Sequence, residues 1–200
     1  YLNGVRLVRT STTAYEYETE QGNIKAVATV NDTIVKYFNV YFPNGYTAVF
    51  GMTSTTTNKL EYPITRLTDE RGRNITYNYN SNYGCYWVTS IYYDYGYASI
   101  TFTYDQTRAD YVQGYRGGLS LDNNYLLKTI SCKRQSDEIG VYTLSYTTDS
   151  NVSLLTQVDF AADGNSLNPL KFYYGNGTAS EGFYTDFSRL LGGYELTNRN

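Results

Sequence analysis

The sequence predicts an all-β protein, an antiparallel array of β-hairpins forming a long curved sheet. Three observations predict it. The chain of 200 residues carries 25 Tyr against 8 Phe and 1 Trp, and Tyr, Thr, Val and Ile favour a pleated, half-buried surface. Short runs of period-two alternation recur between turns that contain Gly. No run of useful length shows the i, i+3, i+4 apolar spacing of a helix. The best helical candidate is short, residues 184–191, Tyr-Thr-Asp-Phe-Ser-Arg-Leu-Leu, closed by Gly192-Gly193.

Residues 1–60 read as N-terminal strands. Asn3-Gly4 between apolar residues predicts a tight turn joining two short strands. Residues 14–20 alternate Tyr15 and Tyr17 with acids, as an edge strand does. Residues 24–30 and 33–42 are strand candidates separated by Asn31-Asp32. Pro43-Asn44-Gly45 then joins residues 37–42 to 46–50 in a hairpin, and Gly51 breaks the strand. Residues 53–59 are Thr-rich and read as a loop.

Residues 61–175 read as four degenerate hairpin repeats. In the first, Leu67 ends an extended run, Thr68-Asp69-Glu70-Arg71-Gly72 is a polar turn, and Ile75, Tyr77 and Tyr79 alternate with Thr76 and Asn78. The aliphatic residue before each turn is Leu67, Ile91, Ile130 or Val158. The triplets that follow are Ile75/Tyr77/Tyr79, Ile100/Phe102/Tyr104, Tyr142/Leu144/Tyr146 and Leu170/Phe172/Tyr174. Turns are expected at Tyr95-Gly96, Ile139-Gly140 and Asp163-Gly164, where Gly supplies positive φ without steric cost. The wide step from Tyr104 to Tyr146 holds an insertion near 106–124. Repeats of this size argue for an array whose neighbours bury each other's faces. Residues 176–200 read as a C-terminal extension or the start of a linker.

Composition excludes several functions. The net charge is -3 and Lys and Arg are not clustered, which argues against a nucleic-acid surface. No stretch approaches the roughly 18 apolar residues of a membrane helix. There is no His, so a Ser-His-Asp or Cys-His catalytic site is out of reach, and with only Cys85 and Cys132 a zinc site is not expected. Both cysteines are expected as free thiols. Asp69-Glu70 and Asp137-Glu138 read as solvated acids beside turns, since adjacent strand residues point to opposite faces. Asp163-Gly164 reads as a hairpin turn, the spacing of Asp159, Asp163 and Asn165 not being that of a calcium loop. No cofactor and no enzymatic activity are expected. The chain opens on Tyr and reads as a segment of a longer protein.

The hairpin unit resembles the YD repeat of Rhs-type proteins, with Tyr104-Asp105 a literal instance. The order of features resembles the SpvB-type N-terminal region of bacterial insecticidal toxin complexes and wall-associated Rhs proteins. The matching pieces run from Leu2-Asn3-Gly4 with Arg6-Leu7, through Phe42-Pro43-Asn44-Gly45 to Phe50-Gly51. They continue in Leu67-Thr68-Asp69 with Gly72 and Ile75-Thr76-Tyr77-Asn78-Tyr79, then Phe102-Thr103-Tyr104 with Arg108 and Asp110. They end in Tyr142 to Tyr146, Leu154-Leu155, and Asp163-Gly164 leading to Pro169-Leu170-Lys171-Phe172-Tyr173-Tyr174. The resemblance implies a segment of a β-sheet shell in a secreted or cell-surface protein. Its implied partners are further repeats of the same polypeptide and an enclosed toxin or effector. The family's C-terminal aspartyl self-cleavage site has no counterpart here.

Two features carry alternatives. Arg108 and Asp110 read as a same-face pair on one strand, i and i+2, in preference to a contact with a neighbour. The tyrosines leave a second function open, a carbohydrate-binding or adhesin module, with Tyr92, Tyr93, Tyr95 and Tyr97 on one hairpin as its platform. The structural repeat residues are Leu67, Gly72, Tyr77, Tyr79, Ile91, Tyr104, Asp105, Ile130, Tyr146, Val158, Gly164 and Tyr174. Where a next repeat would pair, a long free edge is expected, and such an edge invites self-association.

Overall fold

The structure, a computed structural model, describes residues 1–54, 59–82, 85–105, 108–111 and 113–175. The helical candidate, the C-terminal extension and most of the Thr-rich loop lie outside them. The strands are β1 (Leu7–Arg9), β2 (Glu16–Thr19), β3 (Lys25–Asn31), β4 (Ile34–Tyr41), β5 (Thr47–Gly51), β6 (Ile64–Thr68), β7 (Asn74–Asn82) and β8 (Cys85–Tyr93). They continue as β9 (Ala98–Asp105), β10 (Gln113–Arg116), β11 (Leu119–Asp122), β12 (Leu126–Arg134), β13 (Asp137–Asp149), β14 (Val152–Ala162), β15 (Asn165–Ser166) and β16 (Leu170–Lys171).

Among the described residues, fourteen of these strands form one open antiparallel sheet. They lie in chain order from β1 to β9, then β12, β13 and β14, with β15 and β16 on the outer edge of β14. The hairpin β10–β11 stands apart and occupies the insertion near 106–124. Where the connection is a short turn, as between β3 and β4, β6 and β7 or β13 and β14, only an antiparallel neighbour is possible.

The turn between β6 and β7 shows how local chemistry closes a hairpin. Asp69 accepts hydrogen bonds from the backbone N–H of Arg71 and Arg73, both at 2.9 Å. Its other oxygen takes Arg73 Nε at 2.8 Å. Gly72 has φ +83 and returns its N–H to Asp69 O. Partial burial works against the charged carboxylate, but the bonds from Arg73 and Arg71 outweigh it and hold Asp69 below its ordinary pKa.

Two expected turns are corrected. Asn3 and Gly4 do turn, with φ 47 and +84, but they close only an isolated bridge between Leu2 and Val5. Ile139-Gly140 is no turn at all. Both residues lie inside β13, and the reversal falls at 135–136, with Gln135 at φ 54. Gly140 is required for space instead: a Cβ there would meet the Phe160 ring at 2.6 Å.

One face of the sheet is apolar across β2 to β7. Directly opposed residues share a face, and the register runs Tyr17, Ala26, Val40, Ala48, Leu67, Ile75 across six neighbouring strands. The opposite face is polar, with pairs such as Thr76 to Tyr92, Asn78 to Ser90, Thr103 to Thr129 and Thr143 to Asp159. Leu2, Ala26, Val40 and Ala48 form the buried core, with Tyr17, Phe38, Phe50 and Leu67 packed against it.

Candidate functional site, a tyrosine-linked sheet face

The four hairpins meet through a repeated junction. The aliphatic residue of each hairpin faces the first member of its own triplet: Leu67 to Ile75, Ile91 to Ile100, Ile130 to Tyr142, Val158 to Leu170. It also faces the second member of the preceding triplet: Tyr77 to Ile91, Phe102 to Ile130, Leu144 to Val158. Every junction therefore advances the register by two residues, about 7 Å along the strand. A step of two keeps the apolar set on one face, and a constant stagger tilts and coils the sheet.

The junctions also share a bulge. The third triplet member opposes the residue three before the next aliphatic: Tyr79 to Val88, Tyr104 to Leu127, Tyr146 to Leu155. That leaves Thr89, Lys128 and Thr156 as extra residues. A bulge interrupts the ladder and raises the local twist. Pairing of β8 with β9 stops at Ser90 and Thr101, and that of β12 with β13 at Thr129 and Thr143. The closing tyrosine of the next hairpin spans the gap. Tyr104 donates its hydroxyl to Val88 O at 2.8 Å, Tyr146 to Leu127 O at 2.8 Å, and Tyr174 to Leu155 O at 2.7 Å. Each acceptor is the residue just before a bulge. Burial raises the phenol pKa of Tyr104 and Tyr146, so both remain donors across the neutral range.

Tyr79 departs from this pattern. Its counterpart acceptor would be Ile64 O, beside the bulge at Thr65. Among the described residues the Tyr79 hydroxyl makes no hydrogen bond. Its phenol is raised by burial and then by Tyr77.

Of the other candidate residues, Asp105 pairs with the bulged Lys128 at 3.2 Å in an exposed ion pair, which contributes little. Gly72 and Gly164 sit in turns with φ +83 and +75. Tyr92 and Tyr93 are adjacent in β8 and fall on opposite faces. Tyr95, at φ 57 in the one-turn 3-10 segment Asp94–Gly96, extends its hydroxyl to Gly72 O at 3.4 Å. Tyr97 is half-exposed in the turn leading to β9. The four therefore present no single platform.

Arg108 and Asp110 are not a same-face pair on one strand. They lie in the irregular segment before β10 and bond each other at 3.0 Å. Asp110 accepts the backbone N–H of Ser153 in β14 at 3.3 Å, and Ala109 N–H donates to Ser153 Oγ at 2.9 Å. Hydrogen bonding from the Ser153 side chain, ahead of Arg108, holds the Asp110 carboxyl at about 2. The sequence reading missed this contact because its partner is 43 residues away.

The contact also covers the start of the β14 edge. Further along, Phe172 N–H reaches Thr156 O at 2.9 Å and Leu167 N–H reaches Phe160 O at 3.0 Å. β15 and β16 occupy further positions on that edge. The sheet thus ends here in two-residue strands rather than in a long bare edge. Cys85 and Cys132 are free.

No family model matches the sequence, and no curated protein matches it. Solved structures do. The crystal structure of TcdB2-TccC3-Cdc42 aligns with a TM-score of 0.65 at 14% identity over 87% of this chain. The Photorhabdus luminescens Tc holotoxin pore aligns at 0.62 and 15% over 85%. The chain spans only 12% of each of those toxin chains. The N-terminal domain of the effector SpvB from Salmonella typhimurium LT2 aligns at 0.56 and 11%, over 74% of this chain and 68% of that domain. At these identities the likeness is one of fold: this chain shares its open antiparallel sheet with a part of those Tc toxin chains and with the SpvB N-terminal domain.

Proposed function

We propose that this chain is a non-enzymatic wall segment of a secreted or cell-surface bacterial Rhs/YD-repeat protein, part of a β-sheet shell enclosing a toxin or effector polypeptide. The observation that carries the reading is the repeated junction. A two-residue step, a bulge and a tyrosine hydroxyl bond recur at successive hairpins, so the sheet extends by addition of like units. Further repeats of the same polypeptide are its immediate partners, at the short strands β1 on one side and β15 and β16 on the other. The apolar face is the one expected to look inward.

Electron microscopy of the natural polypeptide containing this segment tests the reading. A hollow shell with this sheet in its wall is expected. A particle without an interior, or turnover by the purified segment in a hydrolase and transferase screen that survives repurification, would overturn it.

A further inference from the structure

Two segments cross the apolar face near its middle. Residues 59–63 lie over β4 and β5, where Tyr62 packs edge-on against Phe38 at 5.1 Å. The insertion lies over β8 and β9, and its Gly117 sits against Leu60. Between them and the sheet is a cavity of about 570 Å³. That volume is within the range of small-ligand sites, about 300–1,000 Å³.

Six rings line it: Tyr62, Tyr79, Tyr86, Trp87, Tyr104 and Tyr125. Trp87 is fixed by Tyr125, ring centroids 4.4 Å apart, and by Tyr104 at 6.4 Å. Two hydroxyls are committed, Tyr62 to Val35 O at 3.3 Å and Tyr104 to Val88 O at 2.8 Å. The hydroxyls of Tyr79 and Tyr86 make no hydrogen bond among the described residues. Burial raises both phenols, so both hydroxyls stay protonated and able to donate to and accept from a ligand in the cavity. The remaining polar lining is Lys59, Glu61 and Asn123, one cation and one anion, so the site has no net charge to match an ionic ligand.

We propose that this roofed cavity binds a short neutral oligosaccharide. The C–H faces of sugar rings stack on aromatic side chains, and sugar hydroxyls offer hydrogen-bond partners to the Tyr79 and Tyr86 hydroxyls. A purely apolar ligand would leave those groups unpaired. The proposal is independent of the wall reading, because the cavity is built within the chain.

Trp87 is the single tryptophan, so its emission reports on the cavity. The chain is titrated with maltotriose, cellotriose and chitotriose. A saturable change with one of them is expected. Tyr79→Phe and Tyr86→Phe each weaken it about five- to tenfold, the loss of one hydrogen bond. Tyr146→Phe, outside the cavity, leaves it unchanged. Bound sugar also slows alkylation of Cys85, which lines the cavity, and not of Cys132. Alkylation of the unmodified chain decides the matter if a variant fails to fold. Any of three results would overturn the proposal: no saturable change with any of the sugars up to about 50 mM, well past weak affinity; full binding retained by the double Phe variant; or a response to a proline-rich peptide and not to sugar.

Discussion

In β3 to β5 the apolar face has small residues at its centre, flanked by Phe38 and Phe50. Ala26 is 0% exposed, Val40 and Ala48 2% each, and they lie under Leu2 and beside the segment bearing Tyr62. In the last two hairpins, β12 to β16, the same face is made of large residues, and no comparable layer covers it among the described residues. Ile130, Leu144 and Val158 are half-buried and Tyr142 is 40% exposed. Here neighbouring side chains cover one another, as Tyr142 and Phe160 do at 4.6 Å, and tyrosine hydroxyls satisfy carbonyls freed by the bulges. The first region gains its stability from enclosure. The second gains it from links between successive strands, which leaves its face available to something outside the sheet.

That contrast orders the expected effects of mutation. Val40→Ala removes buried volume from the enclosed region and should cost about 2 kcal/mol, read by urea unfolding. The same truncation at Val158, on the half-open face, should cost clearly less. Equal losses would erase the distinction between the regions. Gly140→Ala forces a methyl against the Phe160 ring and should cost about 1–3 kcal/mol as overpacking. Combination with Phe160→Leu should recover part of the loss, and no recovery would mean that strain elsewhere is responsible.

Hydroxyl removal separates the linked tyrosines from the exceptional one. Tyr104→Phe and Tyr146→Phe each strand a carbonyl and should lose about 0.5–1.5 kcal/mol. Tyr79→Phe loses no bond and should be near neutral in the absence of ligand. A loss at Tyr79 matching the other two would show that burial, not the hydroxyl bond, decides.

The hairpins themselves were legible because their signals are local. Alternation, the aliphatic residue and most turns are written within thirteen residues, as in Leu67 to Tyr79. The junction was not legible, since its step and bulge depend on where pairing stops between strands 16 to 19 residues apart at the bonded atoms. Gly140 misled because a Gly demanded by a close ring looks the same in sequence as a Gly demanded by positive φ. The cavity was invisible for a similar reason, its rings Tyr62, Trp87 and Tyr125 coming from three distant segments.

The smallest expected effect concerns acid. Asp110 has its carboxyl held at about 2 against an ordinary 3.8. A depressed pKa contributes stability that is complete above the unfolded value and is lost as pH falls toward the folded one. Stability should therefore decline between about pH 4 and pH 2, with Asp69, also depressed, adding in the same direction. Asp110→Asn should flatten part of that decline in urea midpoints measured across the window. An unchanged slope would detach the Ser153 contact from stability.

The repeated junction is tested most directly by cross-linking. In a background with Cys85 and Cys132 replaced by Ser, cysteine pairs are placed at Phe102 and Ile130, and at Leu144 and Val158, with Ile100 and Ile130 as the unstepped control. Directly opposed residues have Cα atoms about 4.5–5.5 Å apart, within disulfide reach, whereas the control is displaced by two residues to about 8 Å. Under mild oxidation the account predicts intramolecular disulfides in the first two pairs and none in the control. A disulfide in the control, with Phe102 and Ile130 left reduced, would contradict the two-residue step on which the whole junction rests.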